Sequence, residues 1–372
     1  MAAAHPRCGL FVHQRCLRAA LGKARFPPAK TTVSTLTARV KAIPKPTIVL
    51  HLPEQSASAG RARGLAGRHM RLYQVIRDLA RKSQIPVEIR ARSADLTPAT
   101  RHVSDHRFAD DNLHIIDDRS VQAPGVLNCA VAYFWEFWHL DPIGTKALSS
   151  IGGLDYDPAS MPYGRAERFF EAQRARLVAP RLSKYGQKTE VTAVPPGALA
   201  VFLQGEFPMK QGVTTFDDLA MLRAVRDWQG DRPIVVKPHP LVKNPFTLAG
   251  LRVAVHGDDR ITLTDANVHD ILATCAATVS INSTVALEGY LHRKPAVLFG
   301  QSDFHHLAGR VRAPEDFAAV LDAQLARRGG YAQYLAWYFL RHCLRLGSPG
   351  LEAAIWSRFA AAGFPKERFL GA

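Results

Sequence analysis

The residues best suited to chemistry stand at the ends of apolar runs in the second half of the chain. In "IVVKPHP" a β-branched strand stops at Lys237, Pro238, His239 and Pro240. A proline on each side of the histidine fixes the backbone, so the imidazole is held at a strand end with little freedom. Lys237 offers a point charge and His239 a directional donor, a pair suited to phosphate, although by itself the run would serve equally as a rigid turn. Further along, "VSINSTVALEG" carries a strand into a helix through Asn282, Ser283 and Thr284. A helix that opens on Ser and Thr presents unpaired N–H groups and hydroxyls, and its dipole favours negative charge. Alone that is a common N-cap; joined with Lys237 and His239 at a neighbouring strand end it makes a nucleotide-phosphate site. Glu288 lies one helical turn deeper on the face of Thr284 and could accept a ribose hydroxyl or pair with Arg293. Gln301, Ser302, His305 and His306 follow a further strand on the same edge, in reach of a base or sugar. The two histidines are adjacent and point apart, with no acid at helical metal spacing, and Asp155 and Asp157 in "GLDYDPAS" read as a turn. No metal ligand set is expected, and cationic side chains with a helix terminus would stabilise the leaving phosphate.

These residues need strands and helices in alternation to bring them together. "PTIVLHLP" reads as a buried strand, "MRLYQVIRDLARKS" as an amphipathic helix and "IPVEIRAR" as a strand again, a β-α-β opening that favours a parallel sheet. "LHIIDD" and "GVLNCAVAYFW" are further strands, and a helix spans Met161 to Ala179. The polar "LSKYGQKTEVTAVPPGA" reads as an interdomain connection. Beyond it five strands, "LAVFLQG", "RPIVVKPHP", "RITLTDA", "ATVSIN" and "KPAVLFG", alternate with helices, and the chain ends in amphipathic helices. The expected fold is α/β: two facing doubly wound domains with C-terminal helices, divided as a basic leader at 1–45, a first domain at 46–195, a second at 196–312 and helices at 313–372. Ligands of such sheets sit beyond the carboxyl ends of the strands.

Composition narrows the function classes. The formal net charge is +16, and nine Lys or Arg residues precede the first acid, Glu54. Such a leader suits anionic lipid headgroups, nucleic acid, an anionic sugar polymer or a targeting role, and composition does not choose among them. No stretch of about 18 apolar residues exists to span a membrane, and no nucleic-acid module is recognisable, so no nucleic-acid partner is expected. The five cysteines show no CxxC spacing, which points away from a disulfide framework or zinc site and toward a reducing cytoplasm, with the basic leader at the inner membrane.

The runs "KPHP", "NSTVALEG" and "HRKPAVLFG" resemble the capsular polysaccharide synthesis and export family, whose members are similar to Kdo transferases of two-domain GT-B (Rossmann-like) architecture. The resemblance covers residues 196 to 310, and "GVLNCAVAYFWEFWHLDPIGTKALSSIG" looks like an acceptor-side segment of related proteins. It implies that His239-Pro240 and Ser283-Thr284 hold the phosphate of a nucleotide-sugar such as CMP-Kdo, with Gln204 of "LQGEF" as a further strand-end ligand. The implied activity is metal-independent, inverting transfer of a sugar to a glycan or glycolipid acceptor, with no cofactor beyond the nucleotide-sugar donor. Inversion requires a general base on the acceptor side. Glu54, just after the first strand, is the candidate, with Asp105, Asp111 and Asp141 as rivals; Tyr133, Phe134, Trp135 and Trp138 could stack on sugars. Two other readings remain: a polyol-phosphate transferase of the teichoic-acid kind, and a non-catalytic polysaccharide-binding or export component.

Overall fold

The computed structural model describes residues 45–101, 106–240 and 245–371. The basic leader and Asp105 therefore lie outside the described residues. The chain first forms β1 (Ile48–Leu52), α1 (Glu54–Arg63), α2 (Arg71–Lys82), β2 (Val87–Ala91), β3 (Leu113–Asp117), β4 (Val126–Val131) and β5 (Phe137–Asp141). Strands β2, β1, β3 and β4 run parallel, each fully or partly buried, as the expected β-α-β opening requires. Leu72, Tyr73, Ile76, Leu79 and Ala80 recur at helical spacing on α2 and bury its one apolar face against this sheet.

The segment "GVLNCAVAYFW" is a strand only as far as Val131, and its remainder turns the chain into a tight hairpin. β5 returns antiparallel to β4, and the reversal places Tyr133 at φ 64. Apolar content cannot reveal such a turn, because every residue from Ala132 to Phe134 is buried on both sides of it. α3 (Tyr163–Gln173) continues through a wider π turn to Val178 before the polar connection.

The second sheet comprises β6 (Leu199–Phe202), β7 (Ile234–Lys237), β8 (Ile261–Leu263), β9 (Ala277–Ser280), β10 (Ala296–Leu298) and β11 (Gly309–Arg310). All six run parallel in the order β11-β10-β9-β6-β7-β8, one short strand more than the sequence indicates. Between them come α4 (Phe207–Lys210), α5 (Asp218–Asp227), α6 (Pro245–Val255), α7 (Val268–Thr274) and α8 (Val285–Leu291). Asp217 and Asn267 cap α5 and α7 by accepting the N–H groups of Ala220 and His269. Leu199, Val201 and Val236 pack on one face of this sheet and Ala200, Phe202 and Val235 on the other, so both faces are buried under helices. The strand order reverses between β6 and β9, and there a doubly wound sheet opens a crevice at its carboxyl edge.

The C-terminal segment forms α9 (Phe317–Leu325), α10 (Tyr331–Ala336), β12 (Leu344–Arg345), α11 (Leu351–Ala361) and α12 (Lys366–Leu370). The helix expected across "YAQYLAWYFLRHCLRL" gives way after a π turn at Trp337–His342, and β12 then adds to β5 of the first sheet. α11 and α12 pack into the core of the first half, which returns the chain end to where the described residues begin. A second core joins the halves, with Phe134, Phe137 and Phe170 meeting Leu287, Phe304, Tyr334 and Phe339. The result is an α/β protein of two Rossmann-like layers with C-terminal helices. Among the described residues no helix is long and apolar enough to cross a membrane.

Candidate functional site

Three strand ends of the second sheet are tied by side-chain amides. Gln204, after β6, donates from Nε2 to Asn282 Oδ1 at 2.9 Å and accepts the Asn282 backbone N–H at 2.8 Å. Asn282, after β9, donates to the Gln301 carbonyl after β10 at 2.9 Å. Asp218 at the start of α5 holds the Gln204 and Gly205 N–H groups at 3.0 and 2.7 Å, and Gly205 takes φ 68, where a β-carbon would be strained. The Gln204–Asn282 clasp thus bridges the point where the strand order reverses.

This edge opens into a cavity of about 890 Å³, lined from the second half by Gln204, Lys237, His239, Asn282, Ser283, Thr284 and Glu288. Small-molecule sites have volumes of roughly 300–1,000 Å³. Six of the expected site residues, Gln204, Lys237, His239, Ser283, Thr284 and Glu288, are therefore brought together. Lys237 Nζ is bonded to the carbonyls of Asp265 (3.1 Å) and Ala266 (2.6 Å), so two of its three N–H donors hold the loop before α7 and one is left for an anion. His239 meets the ring of Tyr185 edge-on at 5.2 Å; burial, aided by Lys184, lowers its pKa, so the ring is neutral at pH 7. Ser283 Oγ accepts the Val285 N–H at 3.3 Å, while the Thr284 side chain makes no capping bond at the start of α8.

Glu288 lies beneath these groups and is 2% exposed. Ser183 donates to its Oε1 at 2.6 Å, whereas Oε2 has no hydrogen-bond partner among the described residues. Burial raises its pKa to about 7 from an ordinary value of about 4.5. The folded chain therefore keeps a proton that the unfolded chain has lost across that window, and stability must fall with rising pH there and level off above it. Glu288→Gln removes this titration. Between pH 5 and pH 8 its melting temperature is expected to rise relative to that of the native protein; parallel curves would refute the buried, high-pKa carboxyl.

The opposite wall comes from the first half and from the connection. Tyr133, Lys146, Ser183, Lys184, Tyr185 and Gln187 all line the cavity. Lys146 Nζ bonds Asp118 Oδ2 at 2.8 Å, and Thr145 donates to the other oxygen at 3.2 Å. Asp118 and Lys146 take φ 47 and 54, a left-handed pair held by its own ion pair, and such strain gathers at functional sites. Although burial opposes it, Lys146 brings the Asp118 carboxyl down to about 2. Burial, with Lys146 beside it, lowers Lys184 to about 8. Apart from Tyr133, these residues were not anticipated. "LHIIDD" ended a strand on two acids, which was a usable signal for Asp118; the "SKYG" run carried none beyond its polarity.

Two expectations are not met by placement. Glu54 opens α1 with its side chain 71% exposed, near Arg61 at 3.9 Å and bonded by Ser58, and it does not line the cavity. The residue after a strand can reach a cleft only if the chain carries it there, and α1 begins at once and turns it to solvent. Gln301 lines a neighbouring, smaller cavity, with its Nε2 on the Ala147 carbonyl at 3.3 Å. Of the rival bases, Asp111 pairs with Arg368 on the surface, and Asp141 is occupied by the N–H groups of Ile143, Gly144 and Ser150 and the Ser150 hydroxyl. Phe134 and Trp138 are core. Among the described residues no group of three or more His, Cys, Asp or Glu could hold a metal ion.

Residues 200–309 match the family model described as capsule polysaccharide biosynthesis protein. No curated protein sequence matches the chain. Among solved structures the chain is similar to the β-Kdo 2,7-transferase of Thermosulfurimonas dismutans KpsC, at 15% identity and TM-score 0.45 over 86% of this chain and 100% of that one. The β-Kdo 2,4-transferase of the same KpsC gives 15% identity and TM-score 0.44 over 81% and 92%. Anabaena Alr3699/HepE in complex with UDP-glucose gives 10% and 0.34 over 85% and 99%. The matched segment runs from β6 to β11 and holds Gln204, Lys237, His239, Asn282, Ser283, Thr284 and Glu288, and over residues 200–309 this chain is similar to the capsule polysaccharide biosynthesis family.

Proposed function

We propose that the protein is a glycosyltransferase of surface-polysaccharide synthesis that binds a nucleotide-activated sugar in the larger cavity. One observation carries this reading: the reversal of strand order in the second sheet opens into a cavity where a neutral imidazole, a lysine ammonium and the start of α8 converge. His239 donates one N–H to the phosphate, Lys237 its remaining donor, and Ser283 and Thr284 their hydroxyls. Glu288 accepts a ribose hydroxyl at its unbonded Oε2, and Lys184 adds positive charge on the far side as the phosphate departs. The donor we propose is CMP-Kdo, on the His-Pro and Ser-Thr runs, and the acceptor is a glycan or glycolipid.

Inversion at the anomeric carbon needs a base in the first half, and Asp118 is the carboxylate paired with Lys146 of the cavity wall, although it does not itself line the cavity. A carboxylate held at about 2 suits countering positive charge at the anomeric carbon better than removing a proton. The anomeric configuration of the product, read by NMR, decides whether transfer inverts, and so whether a separate base is needed. No metal is required in this scheme, and none of the charges it uses comes from a cofactor. Peripheral contact of a cytoplasmic enzyme with an anionic membrane, proposed for the basic leader, rests on composition alone.

The test is transfer from CMP-Kdo to a glycan acceptor in excess chelator, with mass analysis of the product. A glycosidic product at full rate is expected. A phosphodiester product favours the polyol-phosphate reading, a rate restored only by a divalent ion removes the metal-free scheme, and a chain that binds no nucleotide leaves the export reading ahead.

A further inference from the structure

Past the contact between the Gln301 amide and the Ala147 carbonyl, the cleft continues into a second cavity of about 420 Å³ at the carboxyl ends of β10 and β11. Its lining is basic. Arg101 enters from the first half, Arg310 closes β11, and His305 comes from the short turn between β10 and β11. Among the described residues no Asp or Glu lines it. Among them the Arg101 guanidinium is bonded only to backbone carbonyls, those of Pro98, Thr100 and Gln211, and burial lowers its pKa. Arg310 makes no hydrogen bond or ion pair with any described residue. His305 bonds the Ser302 carbonyl through Nδ1 at 2.5 Å, which leaves Nε2 for a ligand. On the opposite side Gly153 has open space where a β-carbon would stand.

Two guanidinium groups without a carboxylate favour an anion, and the volume admits a sugar ring rather than a lone ion. The position matters as much as the charge. Ala147 and Gln211 line the larger cavity, while Leu148 and Gly212 line the smaller, so the two share walls residue by residue. An occupant of the second could present a hydroxyl to the first past the Gln301 side chain. We propose that the second cavity is the acceptor subsite and that it selects a sugar bearing a carboxylate or phosphate, through Arg310 and Arg101. This rests on the glycosyl-transfer reading for its role, but not for its ligand chemistry.

The experiment is titration of the full chain, native and Arg310→Gln, with methyl β-D-glucuronide, methyl β-D-glucoside, inorganic phosphate and CMP, followed by NMR or calorimetry. The glucuronide is expected to bind at least tenfold more tightly than the glucoside. Arg310→Gln should weaken it by roughly ten- to a hundredfold, the scale of one charge-assisted hydrogen bond, and leave CMP affinity unchanged. Arg310→Lys should recover part of the loss, which a merely misfolded site would not. Equal affinity for glucuronide and glucoside, or glucuronide affinity indifferent to Arg310→Gln, overturns the proposal. Phosphate bound as tightly as the glucuronide overturns the sugar subsite and leaves a bare anion site. Glucuronide binding that obeys the prediction while CMP fails to bind supports the subsite and overturns the donor reading instead.

Discussion

His239→Ala is expected to lower turnover by roughly 10²–10³-fold, the usual cost of removing one preorganised donor to a developing charge, while the melting temperature stays near that of the native protein. Pro238 and Pro240 fix the backbone on either side of the ring, Tyr185 packs against its edge, and the imidazole lines the cavity into which Ser283 and Thr284 also face. With its pKa lowered, the ring is neutral at pH 7 and can offer a single N–H. His239→Gln should therefore retain more activity than His239→Ala, since an amide can donate in its place. Near-native turnover of His239→Ala would remove the phosphate site; equal loss in both variants would assign the ring to proton transfer. CMP-induced thermal shifts, which report binding by mass action, separate a lost donor from a lost fold.

The legible and illegible parts of this protein divide on physical grounds. The parallel strands announce themselves as β-branched runs because both faces of a covered sheet must be apolar, and the runs ending at Lys237 and Ser280 led directly to the edge that opens into the larger cavity. α1 could not be read, since "EQSASAGRAR" has no apolar periodicity; the helix exists because it follows β1 and packs on β2 through Ala57 and Gly60. The hairpin at Tyr133 was hidden in an unbroken apolar run. The placement of Glu54 shows a limit of the strand-end rule, which names the region but not the direction of a side chain. The same rule, applied to "LHIIDD", would have led to Asp118. Ser183 and Lys184 were obscured differently: a connection between domains is read by its punctuation, whereas here it folds back over the cavity and bonds Glu288.

The join between the halves carries the largest expected effect on stability. Asp303 is fully buried at the end of the second sheet's edge, and its carboxyl accepts Tyr133 (2.6 Å) and Ser149 (2.6 Å) from the first half and Tyr338 (2.7 Å) from the C-terminal segment. Asp303→Ala leaves three buried hydroxyls without their acceptor and opens a void, a loss of about 3–5 kcal/mol in denaturant unfolding. Asp303→Asn keeps an oxygen for the same donors and should cost less. Burial raises the Asp303 carboxyl to about 7, so its burdensome form is the ionised one, and the native protein loses stability as the pH climbs from about 4 to 7. The deficit of Asp303→Asn relative to the native protein should accordingly be larger at pH 5 than at pH 8. Glu288, Asp117 and Asp218, whose carboxyls burial also raises, and His51, His139 and His292, which burial lowers, leave a residual slope in that variant. An Asp303→Ala deficit below about 1 kcal/mol would mean that the phenols and the serine find other acceptors. Tyr133 also lines the larger cavity, so, on the proposed donor reading, Asp303→Ala should weaken nucleotide binding as the wall loosens, coupling the join to the site it stands beside.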